Sequence, residues 1–113
     1  MTEPARGDIW RADFGQTEGH EEAYRRPALI VSVDKFNQGP AELVIAVPLT
    51  TKGKGMPVHV AVGPPEAGLT QPSFIMCDQI RTIAKERLLK WMGRVSSATL
   101  TAVEDNLRIL LDL

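Results

Sequence analysis

The run His20-Glu21-Glu22-Ala23-Tyr24-Arg25-Arg26-Pro27-Ala28-Leu29-Ile30-Val31 carries a cluster of titratable side chains straight into an apolar strand pattern, with an arginine at the junction. Upstream of Arg26 the chain is polar, poor in β-formers and holds Gly15 and Gly19, which is loop composition; beyond Pro27 it reads as packed core. Arg26 is therefore a permanent cation at the edge of a scaffold, and its planar fork suits a phosphate or carboxylate better than a lysine would. The plain alternative is a surface ion pair with Glu21 or Glu22. Two more groups of side chains lie at strand ends: the hydroxyls of Thr50 and Thr51, followed by Lys52 and Lys54, and the polar stretch Asp78-Gln79 with Arg81. An arginine, a His-Glu loop, strand-end hydroxyls and lysines together suit phosphodiester transfer on RNA. There the attacking 2'-hydroxyl is the substrate's own. The protein need only take one proton, return another to the leaving 5'-oxygen and stabilise charge building on the phosphate.

Other chemistries lack their residues. A zinc site needs three or four ligands, whereas the chain has two histidines and one cysteine and no His-Glu-x-x-His spacing. Gly53-Lys54-Gly55 is too short for a phosphate-binding loop, and no serine lies in a Gly-x-Ser-x-Gly elbow. No metal and no cofactor are expected. A net charge of -1 argues against a generic polyanion-binding surface, so any phosphate site must be local.

The elements that must position these groups are mostly strands. Gly7 to Phe14 alternates, setting Trp10, Ala12 and Phe14 on one face. Pro27 to Val33 and Glu42 to Leu49 are rich in Val, Ile and Leu, and the turn-formers Asn37-Gln38-Gly39-Pro40 between them predict an antiparallel pair. Met56 to Val62 repeats the alternation, with His59 read as structural, and a Gly- and Pro-bearing loop follows at 63–68. Ser73 to Ile83 reads as one strand carrying a polar insertion at Asp78-Gln79. Arg87 to Val95 fits a strand or a short helix, with Gly93 favouring the strand. In the tail, Leu100, Val103, Leu107, Leu110 and Leu111 fall at helical spacing, with Ser96 as cap and Val95 placed to staple to Leu100. Short strands, Gly- and Pro-bearing turns and one terminal helix predict a mainly β single domain over 1–113, a small, partly open antiparallel barrel.

The 113 residues suffice for one core without staples. The lone Cys77, within Phe74-Ile75-Met76-Cys77, predicts a reduced, buried thiol and a cytoplasmic setting. No segment reads as a signal peptide or membrane span, so no membrane partner is expected.

Gly7-Asp8-Ile9-Trp10, Gly19-His20-Glu21, Arg26-Pro27-Ala28-Leu29-Ile30-Val31, Val47-Pro48-Leu49-Thr50-Thr51 and Cys77-Asp78-Gln79-Ile80-Arg81-Thr82-Ile83 together resemble the signature of the MazF/PemK/Kid toxins of bacterial toxin-antitoxin pairs. The resemblance covers nearly the whole chain and is weakest in the C-terminal helix. It implies an SH3-like, Kid-CcdB-like barrel, a homodimer, and neutralisation by a cognate antitoxin protein. The activity it implies is that of an mRNA interferase. This is a metal-independent endoribonuclease that cuts single-stranded RNA at a short sequence and leaves 2',3'-cyclic phosphate and 5'-hydroxyl ends.

The family's catalytic arginine and threonine map onto Arg26 and Thr50. Arg26 would stabilise the phosphorane and Thr50 would donate to a nonbridging oxygen. His20, as a proton carrier titrating near neutrality, and Glu21, as a base, stand where some members place acid-base loop residues. Lys52 and Lys54 are expected on backbone phosphates, and Asp78, Gln79 and Arg81 in RNA contact or structural pairing. Met76 departs from one branch of the family, which has an arginine two residues before the aspartate. A related fold occurs in gyrase-poisoning toxins that bind a protein and cut nothing, which is the rival expectation.

Overall fold

The computed structural model describes residues 3–15, 25–53 and 55–113. Seven strands form one antiparallel sheet that curls without closing: β1 (Asp8–Asp13), β2 (Arg25–Ile30), β3 (Leu43–Thr50), β4 (His59–Val62), β5 (Ser73–Met76), β6 (Arg81–Ala84) and β7 (Leu88–Arg94). The main path runs β4-β5-β3-β2-β1-β7, with β6 added to β3. A one-turn helix α1 (Asp34–Asn37) leads into the expected turn, and α2 (Ser97–Leu111) follows β7.

Side chains alternate along β1 to β3, and both resulting faces contribute buried residues. Trp10, Ala12 and Phe14 share one face, as their spacing predicts, and pack with Ala28, Ile30, Val44, Ala46 and Ile83. Ile9, Leu29, Val47 and Leu49 point the other way, into a second cluster closed by Val62, Ile75 and Val103. One curled sheet thus supports two apolar clusters, and α2 seals the second. Burying Val103 completely contributes about 1.5–3 kcal/mol. Leu100 and Leu107 join it, whereas Leu110 and Leu111, which continue the same helical stripe in sequence, stay exposed.

The stretch Ser73 to Ile83 is two strands rather than one. β5 pairs with β4 and with the end of β3 (Leu49↔Ile75, Thr50↔Phe74), while β6 pairs with the start of β3 (Ala46↔Arg81 to Leu43↔Ala84). The 3-10 turn Cys77–Gln79 separates them, in register with the gap left at Val47 and Pro48. Pro48 has no N–H to give to a ladder on that side, so the polar insertion marks a break. The strand predicted from Met56 begins only at His59. Arg87 to Val95 resolves as strand β7, paired with β1.

Local chemistry fixes the ends. The Ser96 hydroxyl accepts the Thr99 N–H at 3.2 Å, capping α2 as predicted, and Val95 and Leu100 both pack on the second cluster. The Ser96 N–H donates to the Glu66 carboxylate at 2.8 Å. Burial alone would raise the Glu66 carboxyl, but hydrogen bonds from Ser96 and Thr99 outweigh it and hold the group below its ordinary value. Asp8, buried in β1, accepts from the Ala5 N–H and from Arg94 of β7, each at 2.8 Å. Asn37, predicted as a turn residue, is fully buried and donates to the Ser32 carbonyl at 3.0 Å. No helix among the described residues is long and apolar enough to cross a membrane.

Candidate active site

The β2–β3 ladder is only three pairs long: Ile30↔Ala46, Leu29↔Val47 and Ala28↔Pro48. Continued by two residues, that register would set Arg26 directly opposite Thr50. It stops because the chain offers a proline there. The Ile30 carbonyl accepts the Gly7 N–H at 2.8 Å, so even-numbered residues of β2 direct their backbone groups toward β1 and odd-numbered ones toward β3. Pro27 is odd and has no N–H to give to β3. Both strands nevertheless continue, held on their outer sides: Arg26 opposite Ala12 of β1, and Thr50 opposite Phe74 of β5. The split between them is an open cleft of about 340 Å³ lined by Arg11, Arg25, Arg26, Pro27, Leu49, Thr50, Thr51 and Lys52.

Within the cleft the threonine is oriented. Its Oγ1 accepts the Lys52 backbone N–H at 3.1 Å, which turns the chain and occupies one lone pair. The O–H remains as a donor toward a ligand oxygen. Beyond Lys52, Gly53 lies against the Phe74 ring so closely that a Cβ would fall inside the ring. This contact fixes the path of the chain leaving the site. On the other wall Arg25 is steadied by Asp13, with Nε 4.0 Å from Oδ2. Arg87 reaches the same carboxylate at 3.9 Å and donates to the Asp13 carbonyl at 3.2 Å. Among the described residues the cleft lining carries four cations and no carboxylate. Such a lining can hold an extended anion, with Arg26 of β2 on one wall and Thr50 of β3 on the other.

Of the residues singled out in the sequence, Arg26, Thr50 and Lys52 converge here. His20, Glu21 and Lys54 lie outside the described residues, as does Tyr24. Asp78, Gln79 and Arg81 do not line the cleft. Asp78 Oδ1 sits 3.3 Å from His59 Nε2, so the histidine read as structural packs at the turn between β5 and β6. Arg81 stacks over the Phe14 ring at 5.4 Å, a cation–π contact on the barrel wall. Cys77 is buried, and burial, then the Asp78 charge, push its thiol up to about 11. Among the described residues no three His, Cys, Asp or Glu side chains gather as a metal site requires. The sequence reading passed over Arg11. A signal existed, since strand alternation sets it on the face opposite Trp10 and Ala12, where an apolar residue is the usual occupant.

A curled antiparallel sheet, split between two strands at a cationic cleft, defines the class: a small, partly open β-barrel protein with a C-terminal helix. Residues 5–111 match the family of PemK-like, MazF-like toxins of type II toxin-antitoxin systems. The chain belongs to that family. It is 37% identical to endoribonuclease MazF9 of Mycobacterium tuberculosis, over 96% of each chain. To endoribonuclease EndoA of Bacillus subtilis it is 31% identical, over 96% of this chain and 94% of that one. Among solved structures, MazF of Deinococcus radiodurans superposes with a TM-score of 0.83 at 28% identity, over the full length of both chains. A mycobacterial endoribonuclease solved with its cognate antitoxin superposes at 0.78, with 34% identity over 100% of this chain and 97% of that one.

Proposed function

We propose that the chain is an endoribonuclease toxin that cuts single-stranded mRNA at a short sequence, without a metal, in the cytoplasm. The observation that carries this reading is the stopped ladder, which presents Arg26 and Thr50 to each other across an open cationic cleft. The substrate's 2'-oxygen attacks the adjacent phosphorus and loses its proton to a base. The P–O5' bond breaks, and the 5'-oxygen takes up a proton. The products are a 2',3'-cyclic phosphate and a 5'-hydroxyl. Arg26 spreads its charge along the equatorial oxygens of the phosphorane, and Thr50 donates its O–H to a nonbridging oxygen. A guanidinium is too weak an acid to be the first choice for proton transfer, so Arg26 acts electrostatically. His20 and Glu21 are the proposed proton carriers. Lys52 and Lys54 neutralise backbone phosphates, while Asp78, Gln79 and Arg81, placed away from the cleft, act in structural pairing or at the edge of the RNA track.

The protein works as a homodimer and is silenced by a cognate antitoxin, a reading supported by the mycobacterial relative solved with its own antitoxin. The test is to incubate the chain and its Arg26→Ala variant with a long single-stranded RNA in EDTA and map the ends. Discrete cuts by the parent alone are expected. They should disappear when the nucleotide 5' to the cut is supplied in its deoxy form. RNA left intact by the parent would shift the reading to a toxin that acts by binding a protein.

A further inference from the structure

We propose that Arg11 and Lys90 form a second phosphate subsite, which takes a backbone phosphate flanking the one that is cut; the inference rests on the ribonuclease reading above. β1 runs between β2 and β7, and Arg11 is in register with Pro27 on one side and with Lys90 on the other. Residues directly opposite on antiparallel neighbours share a face of the sheet, so the two cations stand side by side. Arg26, opposite Ala12, belongs to the other face of the sheet, but Arg11 lines the same cleft where β2 and β3 part, so the pair leads from the cleft onto its own face, across β1 to β7. From β2 to β7 is two strand spacings, roughly 10 Å. An anion at Lys90 is therefore a different phosphate from the one Arg26 holds.

The neighbouring cations of β2, β7 and the turn before it are paired. Arg25 and Arg87 share Asp13, Arg94 has Asp8, and Lys85 has Glu3. Arg11 and Lys90 are both exposed, and neither has an ion pair or hydrogen bond among the described residues. Like charges directly opposite on adjacent strands destabilise a sheet. Asp13, the acid two residues further along the same face of β1, is already engaged by two arginines. A polyanion laid across β1 relieves the repulsion, and single-stranded RNA supplies its phosphates at regular intervals.

The test uses a long RNA made uncleavable by a deoxynucleotide 5' to the mapped cut. The same RNA trimmed to the nucleotides around the cut is run beside it. Both are titrated by fluorescence anisotropy over a salt series against the parent, Arg11→Gln, Lys90→Gln and the double variant. For the long RNA, the double variant should bind roughly tenfold more weakly near 0.1 M salt. Its logarithmic salt slope should be shallower by about 0.7 per lost phosphate contact. The trimmed RNA should bind the parent and Lys90→Gln alike, and for Lys90→Gln kcat at saturating long RNA should hold while KM rises. Thermal melting of the variants should match or exceed the parent's, since a like-charge contact has been removed.

Unchanged affinity and slope in a parent that still cuts RNA would overturn the subsite and leave the ribonuclease reading standing. Equal weakening of long and trimmed RNA by Lys90→Gln would place that lysine at the scissile phosphate and also overturn it. A parent that neither binds nor cuts RNA would bring down both.

Discussion

Arg26 and Thr50 line the cleft from β2 and β3, so on the proposed reading removing either should cost rate more than binding. Arg26→Ala should lower kcat by roughly 100- to 1000-fold, the usual consequence of removing a donor aimed at transition-state charge, and Thr50→Val by roughly tenfold or more. Steady-state cleavage of a fluorogenic oligonucleotide carrying one cut site would measure both; a change confined to KM would assign the residues to ground-state binding. Cys77 makes a different prediction, because its proton is tied to folding. Its thiol ionises at about 11 in the folded chain, against an ordinary value of 9.0. Between those pH values the folded chain holds the proton that the unfolded chain has lost, so stability falls as pH rises through that window. Relative to Cys77→Ala, the parent should lose on the order of 2 kcal/mol between about pH 8 and pH 11. Urea titrations at both pH values would show it, and parallel losses in the two proteins would refute it.

Among the elements, the joints matter more than the strands themselves. The turn before β5 meets β7 at Gly68, which has φ of 70° and lies against the Met92 carbonyl, and at Gly93, which faces the Ala67 backbone. Gly68→Ala would add both left-handed backbone strain and a clash with main chain that has no room to give. A loss of more than about 2 kcal/mol is expected in chemical denaturation. At the start of α2 the Ser96 hydroxyl and the Glu66 carboxylate between them satisfy the amides of Thr99 and Ser96. Ser96→Ala should cost about 1 kcal/mol. The Glu66 contribution is of opposite pH character to that of Cys77. Its carboxyl is held below its ordinary value, so its stabilisation is present at neutral pH and is lost as pH falls through the folded-state value.

At the scale of the whole molecule, the apolar surface is uneven. Ile109 and Leu113 are 78% and 84% exposed, and Leu110 and Leu111 stand beside them at the end of α2. A contiguous exposed apolar group of this kind is what an interface covers, and it supports the proposed homodimer. Light scattering should give twice the chain mass at micromolar concentration. Ile109→Glu combined with Leu111→Glu should shift the protein toward monomer, whereas an unchanged dimer would move the interface elsewhere.

Strand content, the capped terminal helix, the buried thiol and the strand-end positions of Arg26, Thr50 and Lys52 were legible in the sequence alone, because alternation, capping and turn chemistry are local and leave local marks. Arg26 and Thr50 lie far apart along the chain, and nothing local says that they meet. Their meeting depends on the β2–β3 register and on Pro27 ending that ladder two residues early, which is a property of two strands at once. The break between β5 and β6 was visible as polar residues, yet its meaning depended on β3 being shared by two partners with Pro48 between them. Burial on both faces of β1 was likewise decided by distant sequence, with α2 and β5 arriving over Ile9 and β6 joining the cluster of Trp10 and Ala12. Arg11 became a cleft residue only when Pro27 and Lys90 were placed on either side of it. Residue type sets what a side chain can do, and register sets which others it does it with.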